Sequence, residues 1–275
     1  MSTMTENPMN LAVVPLDKVF PHELVDPRRV ENLIKKLNAS EVFTNPPIVV
    51  RSHDHYVVLD GATRVASFKK LGYHHIIVQV LKDHTNCSLD TWFHVIRNID
   101  IEKLLTLFKK LPEITIVKSD LATVQTDMVE YGGLCYIQTV DKVIYHIQPK
   151  AGVNHLDALN KLTYIYIEAS HVTRTFNHNV DILLKEFSDL SGVVIFPVFT
   201  LDQVIQISDA GKVMPAGITR FIIPGRVMRL NASLKYLKSD KNLDEKNKWL
   251  YEFVMERLAN DQVRYYAEPV YLMDE

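Results

Sequence analysis

The sequence predicts an α+β protein, on three observations. Short β-branched runs such as Ile48-Val49-Val50 and Val57-Val58-Leu59 are bounded by turn residues, as strands are. Capping residues such as Asp26 and Thr200 precede apolar residues at three- and four-residue spacing, the pattern of amphipathic helices. A length of 275 residues with 47% hydrophobic content suffices for one large domain or two ordinary ones with packed cores.

Leu11 to Leu16 reads as an entering strand, with Pro15 placing it at an edge or ending it. Asp26 is a helix N-cap with Pro27 at the first helical position, and Val30, Leu33, Ile34 and Leu37 form the stripe behind it. Glu23 sits in the loop before that helix, where a carboxylate can face a cleft. The runs Pro46 to Arg51 and His55 to Leu59, joined by Ser52-His53-Asp54, read as a hairpin that delivers Asp60 to a turn. Asp60-Gly61 punctuates the strand, and Val65, Phe68 and Leu71 recur at helical spacing until Gly72. A strand, a tight turn and a helix N-terminus present unpartnered N–H groups and the positive end of a dipole, which suits an anion. Gly61 lets a phosphate approach the backbone, and Arg64 offers it a planar, permanently charged fork. Ile76 to Leu81 is a further strand.

Asp83 to Cys87 is polar enough to mark a domain boundary, which gives domains of 11–84 and 85–275. From Leu89 to Phe108 the apolar residues Trp92, Phe93, Val95, Ile96, Leu104, Leu105, Leu107 and Phe108 predict helices. Strands are expected at Ile114 to Val117, Leu134 to Ile137 and Val143 to Ile147, the last two as a hairpin. Gly132-Gly133 is a turn and not a phosphate loop, since no Gly-Lys-Ser or Gly-Lys-Thr follows. Leu156 to Tyr166 and Val180 to Phe187 read as helical or mixed, and Val193 to Phe199 as an apolar strand. Thr200 caps a helix that Gly211 ends. In the loop after it, Thr219-Arg220 combines a hydroxyl, backbone donors and a guanidinium, good chemistry for clasping a carboxylate or phosphate.

A formal charge of −2 gives no field favouring nucleic acid. A DNA-binding role would need a basic patch, and Lys235, Lys238, Lys241, Lys246 and Lys248 are interrupted by Asp240, Asp244 and Glu245, as on a solvated helix face. Met1 to Asn10 lacks the features of a signal peptide and no apolar run approaches the ~20 residues of a membrane span, so a cytoplasmic protein without membrane partners is expected. Cys87 and Cys135 stand far apart, which excludes a disulfide framework and a thiolate zinc site. His53, His55, His74 and His75 read as loop histidines without a third metal ligand. Met, His and Cys supply the ligand types for haem, but no attachment motif singles one out.

The order of elements up to Leu81, with an acidic loop, a hairpin and Asp60-Gly61-Ala62-Thr63-Arg64 opening a helix, resembles the ParB/sulfiredoxin fold. Ala62 stands where sulfiredoxins carry their reactive cysteine, and no helix-turn-helix follows as in ParB-type partition proteins. His22-Glu23 before Asp26-Pro27, with the Asp-Gly-x-x-Arg box, looks most like the free-serine kinases. The loop Gly211-Lys212-x-x-Pro215-x-x-x-Thr219-Arg220, followed by Gly225-Arg226, is similar to a second signature of that family. The match is closest to the branch serving staphyloferrin B-type siderophore biosynthesis. The ending resembles it too, with Trp249, Leu250, Phe253 and Leu258 on one helix and Tyr265 to Met273 as a closing strand.

The resemblance implies a ParB/sulfiredoxin-like N-terminal domain, a second α/β domain and an active site in the cleft between them. It implies transfer of a phosphoryl group from ATP or ADP, with Mg²⁺, to free L-serine, giving O-phospho-L-serine. Gly61, Ala62 and Thr63 would supply backbone donors, Thr63 a hydroxyl and Arg64 charge. Glu23 would accept the serine proton, and Asp60 would either hold Mg²⁺ or orient the serine hydroxyl. Thr219 and Arg220 would hold the serine carboxylate, and His22 would steady Glu23 or contact phosphate. Many relatives place a histidine beside the arginine of the box, where this chain has Thr63. The alternative is a ParB-like DNA-binding regulator with a nucleotide- or haem-responsive switch, and oligomeric state is not legible.

Overall fold

The computed structural model describes residues 8–83, 87–130 and 133–266, and its architecture is α+β. The chain forms two compact units, residues 1–88, 208–211 and 221–275 making the first, and 89–207 with 212–220 the second.

The first unit begins with β1 (Leu11–Pro15), a 3-10 turn (Leu16–Lys18) and β2 (Val19–Pro21). Helix α1 (Pro27–Asn38) follows its Asp26 cap, whose carboxylate accepts from the Arg28 N–H, with Pro27 in the first turn as expected. Then come β3 (Val42–Phe43), β4 (Ile48–Ser52), β5 (His55–Asp60), α2 (Ala62–Lys70) and β6 (His75–Leu81). Five strands form one sheet in the order β1-β6-β4-β5-β2. Strands β4 and β5 are the expected antiparallel hairpin, whereas β2 lies parallel to β5 and β4 parallel to β6.

The second unit opens with β7 (Ser88–Thr91), β8 (Phe93–Arg97) and α3 (Ile101–Phe108). Its first part corrects the helical expectation. Trp92 to Ile96 carry helical spacing, but Phe93–Arg97 pairs on both sides, with the strands His171–Thr175 and Leu190–Ile195, and that pairing decides the conformation. There follow β9 (Ile114–Ser119), α4 (Leu121–Glu130), β10 (Cys135–Thr139), β11 (Ile144–Pro149), α5 (His155–Ala169), β12 (His171–Thr175), α6 (Val180–Glu186) and β13 (Leu190–Ile195). The strand expected at Val193 to Phe199 thus starts earlier and ends at Ile195. The sheet runs β12-β8-β13-β10-β11-β9 and is antiparallel at each junction, so this unit is α+β and not the α/β layer expected. Helix α7 (Leu201–Asp209) has the Thr200 cap, with reciprocal bonds between Thr200 and Gln203, and β14 (Thr219–Ile222) pairs with β7.

The chain then returns to the first unit with β15 (Ala232–Ser233), α8 (Leu234–Lys238) and α9 (Leu243–Ala259). This corrects the expectation of a single domain over 85–275. Leu230, Ala232, Leu234, Leu237, Leu250 and Val254 are buried in one core with Val13, Val58, Phe68 and Ile77. Asn247 of α9 exchanges two side-chain hydrogen bonds of 2.9 Å with the backbone of Val13. Of the expected closing strand Tyr265 to Met273, Tyr265 and Tyr266 are not in a strand and the rest lies outside the described residues. Among the described residues, no helix is long and apolar enough to cross a membrane.

Candidate active site

Strand β5 ends at Asp60, and Gly61 turns the chain with φ +95° into α2. That left-handed conformation is costly for any residue with a Cβ, so glycine is required here. The first intrahelical bond is Val65 N–H to the Gly61 carbonyl at 3.1 Å, which leaves the N–H groups of Ala62, Thr63 and Arg64 without an intrahelical acceptor. The N-cap Gly61 supplies no side-chain cap bond to them. The Asp60 carboxylate does not do so either. Its Oδ2 accepts from Arg64 Nη2 at 2.9 Å and from Arg226 Nη2 at 2.8 Å, so one carboxylate lies between two guanidiniums.

Arg64 does not extend into the open. Its Nη1 donates to the carbonyls of Asn45 (2.6 Å) and Pro46 (3.1 Å), and a Cβ placed on Gly61 would lie 2.9 Å from its guanidinium. Burial presses its proton affinity down, and Asp60 opposes this. His22 is 1% exposed, its Nδ1–H donating to the Val58 carbonyl and its ring standing edge-on to Phe221 at 5.4 Å. Burial lowers its pKa, while the charges of Glu23 and Asp60 both act to raise it. Glu23 and Thr63 are half-buried.

In the second unit, Thr219 and Arg220 begin β14. Trp92 and Phe176 stack with centroids 4.0 Å apart, and the Arg220 guanidinium lies 3.9 Å from the Phe176 centroid. Arg220 Nη1 is 3.5 Å from an Asp90 oxygen. The loop before it is held from behind. His94, 1% exposed, donates from Nε2 to the Gly217 carbonyl at 2.9 Å and accepts from the Tyr166 hydroxyl at 2.6 Å. Trp92 N–H donates to the Ile218 carbonyl, and Asn160 to the Val213 carbonyl, each at 2.8 Å. Gly217, at φ +74°, lies so close against Arg174 that a Cβ there would overlap its guanidinium.

The lysines of 235–248 are not one basic face. Lys246 is buried and donates to the Leu237 and Ser239 carbonyls, while Lys241 and Lys248 pair with Glu245 and Glu252. Among the described residues, no three His, Cys, Asp or Glu side chains gather as a metal centre.

No family model matches the chain. The ATP-dependent L-serine kinase SbnI of Staphylococcus aureus is 26% identical over 267 residues, 97% of this chain and 98% of that protein. An ATP-dependent L-serine kinase of Staphylothermus marinus is 36% identical over 103 residues, 36% of this chain and 40% of that one. The chain is a homologue of ATP-dependent L-serine kinases. Solved structures share its fold. A C-terminally truncated SbnI from Staphylococcus aureus matches at TM-score 0.73 and 23% identity, over 90% of this chain and 97% of that one. A free serine kinase in complex with AMP matches at 0.72 and 18%, over 85% and 96%.

In this kinase homologue the structure brings His22, Asp60, Gly61, Ala62, Thr63 and Arg64 together in the first unit, with the charge of Glu23 reaching the same imidazole, and places Thr219 with Arg220 in the second. Sequence reasoning named Arg226 within the second signature but gave it no role, and it missed Gln79 and His94. The signals were a Gly-Arg pair after the Thr-Arg loop and single polar residues inside apolar strands.

Proposed function

We propose that this chain is an ATP-dependent kinase of free L-serine, acting in the cytoplasm and forming O-phospho-L-serine, a precursor suited to staphyloferrin B-type siderophore assembly. The observation that carries this reading is similarity to a serine kinase along 97% of the chain, a length that includes both the Asp-Gly turn and the Thr-Arg loop. The first unit is read as the ParB/sulfiredoxin-type half.

The nucleotide phosphates rest at the N-terminus of α2, where the amides of Ala62, Thr63 and Arg64 and the Thr63 hydroxyl donate to their oxygens. Gly61 lets them approach, and Arg64, locked to two carbonyls and Asp60, shapes the turn. The serine Oγ attacks the terminal phosphorus, an Oγ–P bond forms, the P–O bond to ADP breaks, and the hydroxyl proton passes to the Glu23 carboxylate. His22 steadies Glu23, whose charge reaches its ring. Thr219 and Arg220 hold the serine carboxylate, with the Phe176 face restricting the guanidinium to one plane. Asp60 fits Mg²⁺ as a single carboxylate ligand, because its Oδ1 accepts from no described residue, and the ion when bound would neutralise phosphate charge.

The test is incubation with L-serine, Mg²⁺ and either ATP or ADP, reading O-phosphoserine by mass spectrometry. Product with ATP is expected, and its absence with both nucleotides would overturn the reading. Glu23→Gln should abolish turnover while leaving the ATP dissociation constant within about twofold. Equal loss of both would make Glu23 structural.

A further inference from the structure

Two guanidiniums flank Asp60, and they are not equivalent. Arg64 commits three of its five N–H donors, with Nη1 on the carbonyls of Asn45 and Pro46 and Nη2 on Asp60. Turning it toward a ligand would strip two carbonyls of their donor, a penalty that opposes the move. Arg226 is 38% exposed, and its one partner among the described residues is Asp60, reached through Nη2 at 2.8 Å. A guanidinium has five N–H donors, so Arg226 keeps donors for a second anion.

The position of Arg226 is built. The Gln79 side chain, 8% exposed on β6, donates from Nε2 to the Gly225 carbonyl at 2.8 Å and accepts at Oε1 from the Val227 N–H at 3.0 Å. It therefore grips the backbone on both sides of Arg226, as a neighbouring strand would. Gly225, at φ +66°, makes the bend that presents the side chain, and Asn45 secures the following turn by accepting from the Arg229 N–H at 3.0 Å. Counting Arg64, Arg226 and Asp60 together, one positive charge is left over beside the positive end of α2.

From this we propose that Arg226 binds the terminal phosphates of the nucleotide, and that Gln79 is its positioning residue. The inference rests on the nucleotide site proposed above and adds to it the group that meets the phosphates beyond the first. Asp60 holds the Arg226 fork in place before the ligand arrives, and the unspent N–H groups close on phosphate oxygens.

The test is calorimetric titration of the full chain with AMP, ADP and ATP. Arg226→Ala should weaken ATP and ADP about ten- to a hundredfold and leave AMP within about twofold, with Arg226→Lys intermediate. Gln79→Met, close in size, should show the same selectivity to a smaller degree, with a melting temperature lowered by the loss of its two backbone bonds. Equal weakening of all three nucleotides, or none, in Arg226→Ala would overturn the assignment while serine phosphorylation by the unaltered chain stood. If the unaltered chain bound no nucleotide and made no O-phosphoserine, the proposed function would fall, and this inference with it.

Discussion

His94 shows what one buried imidazole does for a loop. It sits in a strand of the second unit, yet its bond partner Gly217 is 123 residues away, two residues before Thr219. Burial drives its pKa down from 6.5 to about 4, so it stays neutral and keeps one donor and one acceptor nitrogen. Between those values the unfolded chain binds more protons than the folded one. Stability from this group is therefore fully present above about pH 6.5 and is lost as pH falls toward 4, by an amount of order 3 kcal/mol. Denaturant titrations at about pH 7 and about pH 4.5 should show that loss, and His94→Gln should flatten it. Arg220 makes a complementary case. Stacked on Phe176 and near Asp90, it is held in one orientation, so Arg220→Ala should raise the serine KM about tenfold or more with ATP binding unchanged. An unchanged serine KM in steady-state assays would remove it from the substrate site.

The decisive element is the β5–Gly61–α2 junction. A helix normally has its first amides satisfied by a capping side chain, and α2 starts on a glycine that has none. Gly61→Ala would force an L residue to φ +95° and place its Cβ 2.9 Å from the Arg64 guanidinium. The side chain can shift but the backbone strain cannot, so a loss of about 1–2 kcal/mol is expected in thermal or urea unfolding, with weaker ATP binding. This junction is legible in the sequence because Asp60-Gly61 and the apolar spacing behind it are local chemistry, as are Asp26-Pro27 and Thr200. Trp92 to Ile96 is not legible, because two strands far along the chain override its helical spacing. Nor is Gln79, a single polar residue in an apolar strand whose partners lie 146 and 148 residues away.

At the scale of the whole molecule, the first unit is discontinuous, and this sets what can fold alone. A fragment of 11–84 contains the five-stranded sheet, α1 and α2, which a reading of the sequence separates as a domain. It lacks Leu230, Ala232, Leu234, Leu237, Leu250 and Val254, all buried against that sheet. It also lacks Asn247, which bonds the Val13 backbone. Truncating one large buried side chain typically costs about 2–5 kcal/mol, and whole domains are stable by only about 5–15 kcal/mol, so losing five such side chains together with Ala232 exceeds what the remainder can sustain. The fragment should therefore show no cooperative unfolding transition by circular dichroism, and adding residues 221–266 as a separate peptide should restore one. A cooperative transition in 11–84 alone would mean that α8 and α9 cover a core already stable without them.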